Sequence, residues 1–159
     1  MTDRDPGSEA IAPEDERRLA AELFNTVWTL LDSPDRAPHD DDRMLHAAHA
    51  SRYHWGQVGD PVNLARGEWQ CSRVYAVLGR AEPALHHARR TLELCERHGI
   101  GDFDLAFAYE ALARGHAVAG DRDACLANLE LARSAAGAVV DPEDRRAVMD
   151  DLASIRPPS

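Results

Sequence analysis

Helix-stopping residues recur along this chain, and the segments between them are rich in strong helix formers. Of the 159 residues, 27 are Ala, and all 18 basic residues are Arg. Aromatic residues make up only 6% of the chain, and no segment keeps up the alternation of polar and apolar residues that is typical of a strand. The sequence therefore predicts an all-α fold.

Capping and stop signals predict seven helices. Their expected ranges are about 13–31, 43–57, 61–78, from just after 79 to 98, 103–119, 122–136 and 142–154. Ser33-Pro34 ends the first helix, because a residue before Pro avoids helical angles. Gly59 is predicted to stop the second helix in a left-handed conformation, and Asp102 is predicted to cap the fifth. The second helix is expected to open after an acidic run that ends at Asp42.

The length fits one domain with its own core. We expect a single helical domain over 13–155. The polar and charged segment 1–12 and the proline-containing tail 156–159 are both predicted to be disordered.

Two windows of the chain resemble each other when they are aligned on an internal glycine. They are residues 72–85, around Gly79, and residues 113–126, around Gly120, and the two glycines lie 41 positions apart (120 − 79). Small or apolar residues then follow in the second helix of each window: Ala84, Ala88 and Leu92 in the first, and Cys125, Leu129 and Ala132 in the second.

This pattern resembles the tetratricopeptide repeat, in which a short turn joins two antiparallel helices and small residues let them approach closely. The resemblance covers the third to sixth helices. The whole chain looks like small stand-alone tetratricopeptide-like proteins of bacteria. The resemblance implies a right-handed superhelical stack of about three helical hairpins, with the seventh helix as a C-terminal cap. It also implies a binding module with a concave groove.

In such a stack the first helix of each hairpin lines the concave surface. The predicted ligand-binding residues are Arg66, Trp69 and Arg73 on the third helix, Phe107, Glu110 and Arg114 on the fifth, and Tyr53 on the second. Guanidinium groups beside an aromatic ring suit a carboxylate or phosphate, so the expected partner is a peptide or an anionic small molecule. In the alternative interpretation, Glu110 and Arg114 form an ion pair and Trp69 fills the core.

Histidines on the second helix suggest a different function. His46 and His49 lie three positions apart, so both imidazoles could bind one zinc or other divalent ion. Further ligands would come from neighbouring helices: Glu68, Cys71, His86 or His87. The alternative is that these histidines pack between helices without a metal. A binding module without cofactor is the favoured prediction, and a metalloprotein or enzyme centred on His46, His49 and Tyr53 is the alternative.

Enzymatic activity stays open. An imidazole beside Tyr53 could act on an anionic molecule, but the chain carries no nucleophile motif, phosphate loop or dinucleotide fingerprint.

Charge and hydropathy limit the partners. The formal net charge of −10 argues against sequence-independent binding to nucleic acid, and the chain has no apolar stretch long enough to predict a membrane span. Cys71, Cys95 and Cys125 are odd in number and widely spaced, which predicts buried free thiols and a cytoplasmic location. A homodimer through the first or seventh helix is a further possibility.

Overall fold

The structure, a computed structural model, describes residues 10–159. Within that range the chain is all-α, with seven helices and no strand. The helices are α1 (Pro13–Leu31), α2 (Pro38–Val58), α3 (Pro61–Val77), α4 (Ala81–His98), α5 (Asp102–Ala119), α6 (Arg122–Gly137) and α7 (Pro142–Ser154). The predicted all-α class is confirmed. Most of the segment 1–12 that was predicted to be disordered lies outside the described residues.

Helices that follow one another pair as antiparallel hairpins. The most extensive contacts join α1 to α2, α3 to α4, and α5 to α6. The second helix of each hairpin also packs against the first helix of the next, and α7 packs on α5 and α6. In addition α3 contacts both α1 and α5, and α5 contacts α7. This order is consistent with a helical-repeat stack.

Small residues bring the paired helices close together. Ala84 and Ala88 on α4 are fully buried, as are Cys125 and Ala132 on α6. At one crossing a Cβ added to Gly115 of α5 would lie 2.7 Å from the Cδ2 atom of Leu85. The small positions of the two repeat windows therefore lie where helices meet.

Most of the predicted helix ends are confirmed. Gly79, Gly99 and Gly120 have left-handed φ values of 71°, 62° and 76°. Three aspartates cap helix N-termini through their side chains: Asp60, Asp121 and Asp141.

Two predicted helix starts were wrong. Helix α2 begins at Pro38, so the acidic run lies within its first turn instead of before it. Helix α5 is capped by Gly101, and Asp102 is its first residue, with a φ of 54°. In both places the chain enters the helix earlier than the sequence signal indicated.

The left-handed conformation predicted for Gly59 was also wrong. Its φ and ψ are −79° and 161°, an extended conformation that any residue can adopt. The position is nevertheless crowded, since an added Cβ would lie 2.6 Å from the carbonyl oxygen of Trp55 and 2.9 Å from the Cβ of Asn63. Close approach of the chain therefore explains this glycine.

We expect Gly59→Ala to lower the free energy of unfolding by about 1–3 kcal/mol, because the new methyl group meets backbone that cannot move aside cheaply. Gly137→Ala is the matched control, since a Cβ there would meet no atom within 4 Å. The control should be neutral or slightly stabilising. Urea unfolding of both variants measures the difference, and equal stability would contradict the steric explanation.

The chain after α7 stays against the domain. Ile155 is buried, and Arg122 donates a hydrogen bond of 2.6 Å to the carbonyl oxygen of Pro158. Disorder of residues 156–159 stays a prediction. None of the helices within residues 10–159 combines the length and the apolar character that crossing a membrane requires.

The three cysteines are buried and free, as predicted. Burial raises the pKa of the Cys71 thiol to about 12 and that of Cys95 to about 11. Burial also raises the pKa of Cys125. Thiolate is the reactive form, so these groups should be inert in the folded protein. We expect an aromatic disulfide reagent at pH 8 to label fewer than one thiol in native protein and all three in urea. Rapid labelling of native protein would contradict their burial.

Candidate functional site

An aromatic cavity of about 420 Å³ lies among the odd-numbered helices. Five of its lining residues are aromatic: Phe24 and Trp28 on α1, Trp69 on α3, and Phe103 and Phe107 on α5. Helix α7 adds Ala147 and Asp151, and Thr91 reaches it from α4. A volume of this size is in the range of small-molecule sites.

The five rings form one connected row. The ring centroids of Trp28 and Trp69 lie 5.4 Å apart, and those of Trp69 and Phe107 lie 5.2 Å apart in an edge-to-face arrangement. Phe24 extends the row from Trp28, and Phe103 extends it from Phe107, with centroid distances of 6.2 Å and 6.1 Å. These distances and angles are favourable for aromatic pairs, so the rings hold one another in place.

An ion pair between α3 and α5 borders the cavity. Arg66 donates two parallel hydrogen bonds to Asp104, of 2.8 Å and 2.9 Å. Its guanidinium carbon also lies 4.9 Å from the ring centre of Phe103. The hydrogen bond to Asp104 raises the pKa of Arg66, which burial partly offsets, and the charges of Asp104, Asp60 and Asp144 add to it. The guanidinium is therefore permanently charged and already matched by a carboxylate.

Behind the cavity, a buried carboxylate joins α3 and α5. Glu110 is fully buried, and its Oε1 accepts hydrogen bonds of 3.0 Å from Arg73 and 2.6 Å from Arg114. Its Oε2 accepts a bond of 3.3 Å from the indole nitrogen of Trp69. The network thus fixes the orientation of the central ring of the aromatic row.

Asp151 connects this network to α7. Its Oδ1 accepts a hydrogen bond of 3.0 Å from Arg73. Arg114 donates to the backbone carbonyl of Asp151 at 3.1 Å and to the hydroxyl of Ser154 at 2.9 Å. Within residues 10–159, no donor bonds to the second carboxylate oxygen of Asp151. That oxygen belongs to a residue that lines the cavity.

The structure brings together six of the seven predicted ligand-binding residues. Arg66, Trp69 and Phe107 line the cavity, and Arg73, Glu110 and Arg114 form the network behind it. Glu110 and Arg114 also form the ion pair of the alternative interpretation. Tyr53 lies elsewhere: it is 64% exposed and borders a depression with Ile11 and Gln57.

Sequence reasoning missed Trp28 and Phe24 on α1, and Asp151 on α7. Phe24 and Trp28 are spaced four positions apart, which places them on one helix face, and this signal could have been used. The part played by Asp151 depends on how α7 docks, which spacing alone does not reveal.

The two predicted metal ligands on α2 have different surroundings. His46 is exposed, whereas His49 faces α3, with its Nε2 atom 2.8 Å from the Tyr75 hydroxyl and its Nδ1 atom 4.0 Å from the Cys71 sulfur. Within the described range, no group of three or more His, Cys, Asp or Glu residues is arranged to hold a metal ion. A metal at His46 and His49 stays a prediction.

His49 instead belongs to a polar cluster between α2, α3 and α4. His87 stacks on the ring of Tyr75, and its Nδ1 atom lies 2.6 Å from Oε2 of Glu68. Arg52 donates to the other oxygen of Glu68 at 2.9 Å. Burial alone would raise the pKa of Glu68, but His87 and Arg52 outweigh it and hold that pKa below its usual value.

The same cluster makes stability depend on pH. Burial lowers the pKa of His49, the charges of His87 and His46 lower it further, and Glu68 opposes them in part. A neutral His49 therefore contributes stability that is fully present above the pKa of an unfolded histidine, about 6.5. That contribution is lost as the pH falls toward the lower pKa of the folded state.

The wild type should lose stability when the pH falls from 7.5 to 5.5. We expect His49→Gln to lose less stability over the same range, because an amide does not titrate. His39→Gln is the control, since that side chain is 82% exposed, and it should leave the wild-type pH dependence unchanged. Urea unfolding at the two pH values measures both. A wild-type pH dependence in His49→Gln would show that His49 does not cause it.

No protein-family model, curated protein or solved structure matches the chain.

Proposed function

We propose that this protein is a helical-repeat binding module that holds the aromatic or bulky apolar part of a small organic molecule in the aromatic cavity. In this proposal the hairpins form a right-handed, tetratricopeptide-like superhelical stack, and α1, α3, α5 and α7 form its concave side. The observation that carries the proposal is that four alternate helices contribute to one aromatic cavity of about 420 Å³.

The composition of the cavity wall supports an apolar ligand group. Five of the eleven lining residues are aromatic, and each ring offers a large apolar surface at a small cost in side-chain entropy. Transfer of an apolar group from water to such a site is favourable by about 25 cal/mol for each Å² removed from water. The aromatic row is held in place before any ligand enters, which lowers the cost of ordering.

The predicted anionic ligand finds less support here. Each arginine proposed to bind it already has a carboxylate partner: Arg66 has Asp104, and Arg73 and Arg114 share Glu110. An anion would have to compete with these carboxylates.

Binding of 1-naphthalenemethanol, measured by calorimetry, tests the proposal. The wild type should bind it, and Ala147→Trp should weaken binding about tenfold or more, since the new indole occupies the cavity. Ala147 is exposed on α7, so the substitution should not disturb the core. Ala153→Trp is the matched control, because Ala153 is exposed on the same helix and does not line the cavity.

Absence of binding to the wild type would overturn the proposal. So would equal binding to Ala147→Trp and Ala153→Trp, which would place the ligand outside the cavity. If the protein bound a peptide but none of the small aromatic compounds, the peptide ligand that the sequence predicts would be favoured.

A further inference from the structure

The charged side chains at the aromatic cavity are paired with one another. Six charged side chains line it or contact its lining in matched sets: three arginines (Arg66, Arg73 and Arg114) and three carboxylates (Asp104, Glu110 and Asp151). Two more carboxylates, Asp60 and Asp144, lie close enough to Arg66 for their charges to raise its pKa.

Two rings of the cavity already carry a cation whose counter-ion is a carboxylate. Arg66 lies over Phe103 and pairs with Asp104. Arg73 lies 6.0 Å from the ring centre of Trp69 and pairs with Asp151. The face of an aromatic ring attracts a cation because its quadrupole places negative charge there. Two aromatic rings of the cavity wall thus lie next to positive charge that a carboxylate balances.

One carboxylate that lines the cavity can accept a further hydrogen bond. Asp151 is paired through Oδ1 only, and no donor within the described range bonds to its Oδ2. The Asp151 side chain lines the cavity and is 28% exposed. A ligand in the cavity can therefore bind its second oxygen without breaking the ion pair with Arg73. An ammonium group is a strong donor to such an oxygen.

Resting on the proposed function, we infer that the ligand is a small aromatic amine, whose ring lies against the row Trp28–Trp69–Phe107 and whose ammonium group binds the Asp151 carboxylate. Ring and charge are then recognised by different groups. The aromatic row supplies the apolar contact, and the carboxylate oxygen of Asp151 that accepts no hydrogen bond selects a cation.

Three naphthyl compounds of matched shape test this inference by calorimetry: 1-naphthylmethylamine, 1-naphthalenemethanol and 1-naphthoate. At low salt we expect the amine to bind about fivefold or more tighter than the alcohol, and the naphthoate to bind weakest. High salt should reduce the difference in affinity between the amine and the alcohol.

Asp151→Asn should weaken binding of the amine more than binding of the alcohol, so that the two affinities come within about twofold of each other. Retained alcohol binding shows that the cavity is intact. Asp150→Asn is the control, since Asp150 is exposed and does not line the cavity. If Asp151→Asn does not fold, the order of the three affinities in the wild type still tests the inference.

The outcomes separate the two claims. If the alcohol or the naphthoate binds the wild type most tightly, and Ala147→Trp still blocks the alcohol, the cavity binds ligands but the preference for an amine is wrong. The inference would also be overturned if Asp151→Asn preferred the amine to the alcohol by the same factor as the wild type. If none of the three compounds binds the wild type, the proposed function itself fails.

Discussion

Replacing Glu110 with Ala lowers the free energy of unfolding by about 3–5 kcal/mol, the usual cost of removing one partner from a buried ion pair. Glu110 is fully buried and accepts bonds from Arg73, Arg114 and Trp69. Without it, Arg114 loses its carboxylate partner, Arg73 keeps only Asp151, and an indole N–H loses its acceptor. Both guanidinium groups are about five-sixths buried.

Glu22→Ala is the matched control. Glu22 pairs with Arg18 at the same i,i+4 spacing that relates Glu110 to Arg114, but its side chain is 62% exposed. An exposed pair of this kind contributes little to stability, so this variant should unfold at nearly the wild-type urea concentration. Urea unfolding of both variants measures the difference. A loss of less than about 1 kcal/mol in Glu110→Ala would contradict the account of this network.

A third variant separates charge from shape. Glu110→Gln keeps an oxygen that can accept from Trp69, but it removes the negative charge between the two arginines. We expect its stability to lie between those of the wild type and Glu110→Ala. Equal stability of the Gln and wild-type proteins would show that the charge itself contributes nothing.

Truncating Trp69 has an effect of similar size. We expect Trp69→Ala to lower the free energy of unfolding by about 3–5 kcal/mol, because it removes the central ring of the aromatic row and enlarges the cavity. Trp69 is 9% exposed and contacts Trp28 on one side and Phe107 on the other. If the protein still folds, it should also lose affinity for 1-naphthalenemethanol.

Trp69→Phe tests the hydrogen bond to Glu110. A phenyl ring keeps part of the aromatic contact but has no N–H, so the Oε2 atom of Glu110 loses a donor. Trp55→Phe makes the same change in a tryptophan that does not line the cavity. Unfolding measurements should show a larger loss for Trp69→Phe, and equal losses would contradict the role assigned to the indole nitrogen.

Local features of this fold were readable from the sequence because they depend on a few neighbouring residues. Gly79 and Gly120 end helices by a left-handed conformation that side chains disfavour, and Asp60 caps α3 with its own carboxylate. Gly59 shows the limit of this reasoning. The sequence does not distinguish a glycine that is required for close approach of the chain from one that is required for a left-handed conformation.

The candidate site could be predicted only in part. Arg66, Trp69 and Arg73 share a helix face, so their common location follows from helical spacing. That these arginines find carboxylate partners on other helices, in Asp104 and Asp151, depends on how the helices dock. The same limit applies to His46 and His49, which lie on one helix yet meet different surroundings.

The central claim is that a ligand enters the cavity formed by α1, α3, α5 and α7. Nuclear Overhauser effects between the ring protons of bound 1-naphthalenemethanol and the protein test it most directly. We predict contacts from the ligand to the indole rings of Trp28 and Trp69 and to the ring of Phe107. Contacts confined to Trp55 or Tyr53, or none to the aromatic row at a saturating ligand concentration, would contradict the claim.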